Sequence, residues 1–238
     1  MSGFSLNKEK DTIGSMFDSI AWKYDFLNHF LSFGTDRTWR RKAIDQISGL
    51  YKNPVILDVA TGTADLALAA VKIKPLSITG IDISEKMLEL GREKIIAAGQ
   101  TELIKLIRCD SENICFPENT FDVAMVAFGV RNFSDPIRGL SEMRRVICKG
   151  GMVLVLEFSR PDRFPFRNLY NFYFRYVLPV LGGWFSKDRT AYMYLHESVI
   201  KFAENEDFMR LMKDAGLSII RQKRLTNGVA TIYTGIKE

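Results

Sequence analysis

Eleven residues, Val55-Ile56-Leu57-Asp58-Val59-Ala60-Thr61-Gly62-Thr63-Ala64-Asp65, constrain the fold of this chain more than any others. Val55 to Val59 is a near-continuous apolar run, the pattern of a parallel strand buried on both faces. Ala60, Gly62 and Ala64 let the backbone pass close to a ligand, and Gly62 accepts a positive φ without strain. Asp65 caps or starts a helix predicted over Leu66 to Val71. A second predicted strand, Ser77 to Asp82, again ends in a carboxylate, placed to accept from both hydroxyls of a ribose. This is the layout of a nucleotide site, but the glycines do not fit a dinucleotide. A G-x-G-x-x-G turn sets its backbone against a pyrophosphate, whereas here one glycine survives between Asp58 and Asp65. Carboxylates repel phosphates and suit a cation, and the sulfonium and ammonium of S-adenosylmethionine meet that requirement. The plainer reading is a βαβ unit whose acids are only caps; Asp82 at the second strand end weighs against it.

The rest of the chain is compatible with one α/β domain carrying additions. Its 238 residues, 47% hydrophobic and 26% charged, are enough for a packed core. A formal charge of +5 is spread along the chain, so it permits nucleic acid or an anionic membrane as partner and selects neither. Cys109, Cys115 and Cys148 include no CxxC pair and are expected to be reduced thiols. The polar stretch Met1 to Asp11 has no apolar h-region, and no run of about eighteen uncharged apolar residues occurs. A cytoplasmic protein is expected, with no metal, since no His, Cys and carboxylate cluster stands at ligand spacing.

In chain order, residues 1–53 read as an N-terminal helical arm or lid. Helical spacing covers Thr12 to Leu31, where the polar Tyr24, Asp25 and Asn28 sit in apolar company, and Trp39 to Leu50. Residues 54–160 form the donor-binding core, with helices over Ser84 to Ala98 and Pro136 to Ile147, the latter ended by Gly150-Gly151. Its further strands are Ile104 to Cys109, Phe121 to Ala127 and Met152 to Phe158. Asp110-Ser111-Glu112-Asn113, directly after the third strand, offers polar groups to an adenine edge. Residues 161–203 are an insert whose aromatics, from Phe164 to Phe185, line a pocket, fill the core or meet lipid. Residues 204–238 carry a helix, Glu206 to Ala215, and two strands joined by Thr226-Asn227-Gly228, a hairpin signal. A parallel sheet finished by an antiparallel hairpin departs from a dinucleotide fold and resembles the seven-stranded, Rossmann-like sheet of class I S-adenosylmethionine-dependent methyltransferases.

The resemblance then becomes specific. Tyr24-Asp25-Phe26-Leu27-Asn28-His29-Phe30-Leu31-Ser32 with Trp39, the donor loop Leu57 to Asp65, Ala127-Phe128-Gly129-Val130-Arg131-Asn132, and Arg145-Val146 through Gly150-Gly151 to Glu157-Phe158-Ser159 resemble signatures of the UbiE/COQ5 quinone C-methyltransferases. Tyr194-Leu195 with Ser198 and the hairpin from Leu225 to Ala230 fit as well. The likeness runs in order from about Phe17 to the end of the sequence. Departures are Asp36, where the family often has histidine, Leu27 for methionine, Cys148-Lys149 for Lys-Pro, and Ala127 for a serine.

The resemblance implies methyl transfer from S-adenosylmethionine to a ring carbon of a prenylated hydroquinone, with demethylmenaquinol expected and a benzoquinol the alternative. Donor binding falls to Asp58, Gly62, Thr63, Asp82, Asp110 and Ser111. Arg131 and Asn132 are expected beside the reacting ring, Arg131 to stabilise a phenolate or place a water, since it stays charged. Tyr24 and Asp25 are expected on the proton path. The aromatic insert would cover the prenyl tail and touch the membrane surface, making the protein peripheral at the inner face of the cytoplasmic membrane. Nucleic acid is not an expected partner, because Gly129-Val130-Arg131-Asn132 stands where base-amino methyltransferases carry an N-P-P-Y-like run. Other readings are a sterol or phenol methyltransferase and a donor-binding scaffold without turnover; homo-oligomerisation is left open.

Overall fold

The computed structural model describes residues 34–162 and 202–238, together with Asp18, Ser32, Phe164, Pro165, Arg167, Asn168 and Ser198. Tyr24, Asp25 and nearly all of the aromatic insert therefore lie outside the described residues.

Seven strands form one sheet in the order β3-β2-β1-β4-β5-β7-β6. They are β1 (Val55–Val59), β2 (Ser77–Asp82), β3 (Ile104–Arg108), β4 (Phe121–Ala127), β5 (Ile147–Phe158), β6 (Ser218–Leu225) and β7 (Ala230–Ile236). β1 to β5 pair in parallel; β7 runs antiparallel between β5 and β6. The order reverses between β1 and β4, and in open parallel sheets ligands bind beyond the carboxyl ends of the strands at such a reversal.

Alternate residues of each central strand feed opposite faces, as a two-residue period requires. Ile56, Ile78, Val123, Met125 and Leu154 join one core cluster, beneath α1 (Asp36–Ser48) and α2 (Asp65–Ala70). Leu57, Val59, Ile81, Ala124, Val126 and Val155 join the other, beneath α4 (Pro136–Val146) and α5 (Glu206–Asp214). The remaining described helix, α3 (Glu85–Ala97), starts at Ser84, whose hydroxyl accepts from the Met87 amide.

Three expectations change. The helix begun at Pro136 stops at Val146, and β5 starts at once with Ile147. Gly150-Gly151 lies inside that strand, where pairing with β4 jumps from Phe121–Ile147 to Val123–Met152. Gly150 has φ +76°, so the pair of glycines builds an irregularity in a strand instead of ending a helix. The first helix of the core begins at Asp36, ahead of the expected Trp39. Finally, Cys109 and Cys115 are paired as a disulfide where reduced thiols were expected, while Cys148 is free. The intervening loop doubles back through a bridge between Asp110 and Asn113, which brings the two Cα atoms to 6.1 Å. Sequence spacing does not reveal that reversal.

The far end of the sheet is tied by Lys237, whose Nζ donates to Asn119 Oδ1 and to the carbonyls of Arg145 and Ile147.

Candidate active site

The loop after β1 is held in an unusual conformation. Gly62 has φ +55°, as its residue type permits, but Ala60 and Ala64 also take positive φ, at 51° and 66°. The Gly62 amide donates to Asp82 Oδ2 at 2.9 Å, and the Ser84 amide donates to Asp82 Oδ1 at 2.9 Å. The carboxylate at the end of β2 thus clamps the β1 loop, and lone pairs on both oxygens remain for a ligand. Burial raises the Asp82 pKa, and its backbone hydrogen bonds oppose the rise.

Beyond these strand ends lies an open cleft lined by Ala60, Gly62, Asp82, Asp110, Ser111, Asn132 and neighbours. Asp110 Oδ1 accepts the Glu112 amide, and Glu112 Oε1 accepts the Ser134 amide, so the loops after β3 and β4 are joined across the cleft. Gly129 allows a close approach: a Cβ there would lie 2.8 Å from that of Ala60. Phe128, with φ +58° and 2% exposure, directs the chain around this contact. A bulky residue held at positive φ stores strain of the kind found at ligand sites.

A second, smaller cavity opens on the other side of the β1 loop. Ala60 and Gly62 line both cavities, and Asp58, Thr63, Asp65, Arg40 and Ala127 line only this one. Asp58 accepts from Thr61 Oγ1 at 2.7 Å, and burial pushes its pKa up to about 7. Arg40, 6% exposed, pairs with Asp36, lies 3.5 Å from Asp65 and sits over the Phe128 ring. Lys94 donates to Thr63 Oγ1 and Asp65 Oδ1. Nothing local in the sequence distinguishes Arg40 or Lys94: Arg40 reaches the cavity, and Lys94 reaches Thr63 and Asp65 of the loop, from helices remote from it.

The expected residues therefore divide. Gly62, Asp82, Asp110, Ser111 and Asn132 meet on the larger cleft, while Asp58, Gly62 and Thr63 meet on the smaller one. Arg131 lines neither. It is 3% exposed, and its Nη1 donates to Glu157 Oε1 at 2.5 Å. The expectation of a guanidinium facing the ring is corrected to this extent: within the described residues its charge is turned inward, toward a carboxylate on the neighbouring strand. Asp18, a described residue of the arm, accepts from Ser84 Oγ.

The sheet order, the Asp82 clamp and the cleft at the reversal define a Rossmann-like methyltransferase of class I. Solved structures with this fold include a Thermotoga maritima protein described as a possible histamine N-methyltransferase (TM-score 0.67, 18% identity, 95% of this chain and 100% of that one). The [4+2]-cyclase SpnF also shares it (TM-score 0.69, 17% identity, 94% and 95%). The chain belongs to the ubiE/COQ5 methyltransferase family, whose profile matches residues 5–237, and S-adenosylmethionine is its methyl donor. Among its relatives, a Bacteroides fragilis demethylmenaquinone methyltransferase is 44% identical over 231 residues (97% of this chain, 94% of the relative). The ubiquinone/menaquinone biosynthesis C-methyltransferase UbiE of Geotalea daltonii is 47% identical over 236 residues (98% and 100%).

Proposed function

We propose that this chain methylates a ring carbon of demethylmenaquinol to give menaquinol. The observation that supports the reading is family membership over residues 5–237 together with a cleft at the strand ends lined by Gly62, Asp82, Asp110, Ser111 and Asn132. When bound, S-adenosylmethionine supplies a methyl group on a positively charged sulfur. Asp82 accepts from the ribose hydroxyls, while Asp110 and Ser111 face the adenine. Asp58 receives the donor's ammonium, and Arg40, with Thr63 beside it, faces the donor's carboxylate. With the charged tail held on one side of the loop and the adenosine on the other, Gly129 and Asn132 of the cleft wall would face the acceptor.

Ring carbon is nucleophilic only as a neighbouring hydroxyl loses its proton. Developing phenolate and sulfonium neutralise each other, so a site shielded from water favours the step. Holding the reacting atoms in line is worth about 7–11 kcal/mol. Asn132 orients the ring hydroxyl from the cleft wall, and Arg131 acts from behind it; Tyr24 and Asp25 carry the proton away. The aromatic segment 164–185 receives the prenyl tail and rests on the cytoplasmic membrane surface, with Arg167, Arg175 and Lys187 near anionic headgroups. Among the described residues no helix is long and apolar enough to cross a membrane.

Purified protein given labelled donor and a reduced, prenylated demethylnaphthoquinol should yield the C-methylated quinol. Donor binding without transfer to naphthoquinol or benzoquinol would refute the reading. Flotation with anionic liposomes checks the membrane contact separately.

A further inference from the structure

Glu157 is fully buried near the end of β5, and its carboxylate is turned toward Arg131 in the segment that follows β4. Oε1 accepts from Arg131 Nη1 at 2.5 Å and from the Phe158 amide at 3.1 Å; Oε2 accepts from the Arg131 amide at 3.3 Å. Both the side chain and the backbone of Arg131 are therefore held by one carboxylate. The guanidinium also lies over the Phe158 ring, 5.3 Å from its centre. Its Nε is buried without a hydrogen-bond partner.

A buried ion pair is a poor device for stability alone, because its desolvation offsets most of its attraction and well-packed apolar side chains serve as well. What this pair does provide is a fixed position for the one-turn 3₁₀ helix Val130–Asn132. Asn132, next in the chain, stands on the cleft wall. Its amide donates to the Gly129 carbonyl, where the β4 loop touches the β1 loop at Ala60. Movement of Arg131 thus shifts the cleft wall at Gly129 and Asn132.

We propose that Glu157 is a positioning residue for methyl transfer: it anchors Arg131 from the adjacent strand, and so sets where Asn132 meets the quinol. The inference rests on the reaction proposed above. Glu157 touches neither substrate nor donor. Its substitution should lower kcat and leave donor affinity unchanged.

The test compares the full chain with Glu157→Gln, Glu157→Ala and the double variant Arg131→Met/Glu157→Leu. The double variant avoids a lone buried charge and keeps the volume, so it folds even where Glu157→Ala does not. S-adenosylhomocysteine affinity is read by calorimetry, kcat and KM with a short-chain demethylnaphthoquinol, and amide exchange across residues 130–134. The double variant should bind S-adenosylhomocysteine as the parent does but lose about 100-fold in kcat, the scale of a misplaced reacting group. Glu157→Gln, which retains one acceptor oxygen, should recover part of that loss, and exchange at the amide of position 131 should quicken in all three. A folded double variant with parental kcat, or unchanged exchange at position 131 in the two single variants, overturns the proposal. A parent chain that transfers no methyl to any quinol overturns the reaction itself and the proposal with it.

Discussion

On one side of the loop after β1, the larger cleft is walled by residues at strand ends, and Asp82 is set by the Gly62 and Ser84 amides. On the other side, the smaller cavity is lined by the loop itself and by Arg40 from α1, beside a charge network in which Arg40 meets Asp36 and Asp65 and Lys94 meets Asp65. The first site is made by backbone geometry and needs only a few residues to be correct. The second is made by charge balance, and each member depends on the others. Under the proposed function, the neutral adenosine of the donor would meet the first kind of surface and its charged tail the second.

The largest effect is expected from Asp82→Ala, which removes a partner of two amides as well as the ribose acceptor. Hydrogen bonds to charged groups are worth about 1.5–3 kcal/mol each, so S-adenosylhomocysteine and adenosine should both bind at least about 100-fold more weakly by calorimetry. Arg40→Met separates the two sides: S-adenosylhomocysteine should lose about tenfold in affinity, and adenosine, which lacks the tail, should lose nothing. Equal losses for both ligands would show that the two cavities act as one.

Asp58 gives the comparison a pH dependence. Its folded pKa is raised to about 7 by burial, above the unfolded value, so the folded protein keeps a proton that the unfolded chain releases. Stability without donor should therefore fall as pH rises from about 4 to about 7, by up to about 1.4 kcal/mol per unit from this group. Asp82 shifts in the same direction, so Asp58→Asn should flatten the urea-unfolding profile without levelling it. Donor affinity should run the other way in the parent, increasing as Asp58 ionises beside the ammonium. Smallest of all, Ser111→Ala should weaken donor binding by less than about tenfold, as loss of one neutral hydrogen bond implies.

The same contrast explains what could be read from the sequence. Strand ends are legible, because an apolar run followed by an acid is local; β4, Asp82, Asp110 and Ser111 all stand where expected. The closing hairpin was equally local, carried by Thr226-Asn227-Gly228. Arg40, Lys94 and the Glu157 pairing were not legible, since each depends on which helices and strands become neighbours. The positive φ at Ala60, Ala64 and Phe128 also escaped, because alanine and phenylalanine do not announce such conformations as glycine does. Cys109 and Cys115 were misread for a related reason: their approach depends on a turn that only the folded loop contains.

Lys237 carries a practical consequence. Its ammonium gathers the turn before β4 and the junction of α4 with β5, so Lys237 acts as a clasp on the strand that holds Glu157. Lys237→Ala would take one donor from each of Asn119 Oδ1 and the carbonyls of Arg145 and Ile147, of which the Arg145 carbonyl keeps the Asn119 amide, and would loosen β5 at the end opposite the site.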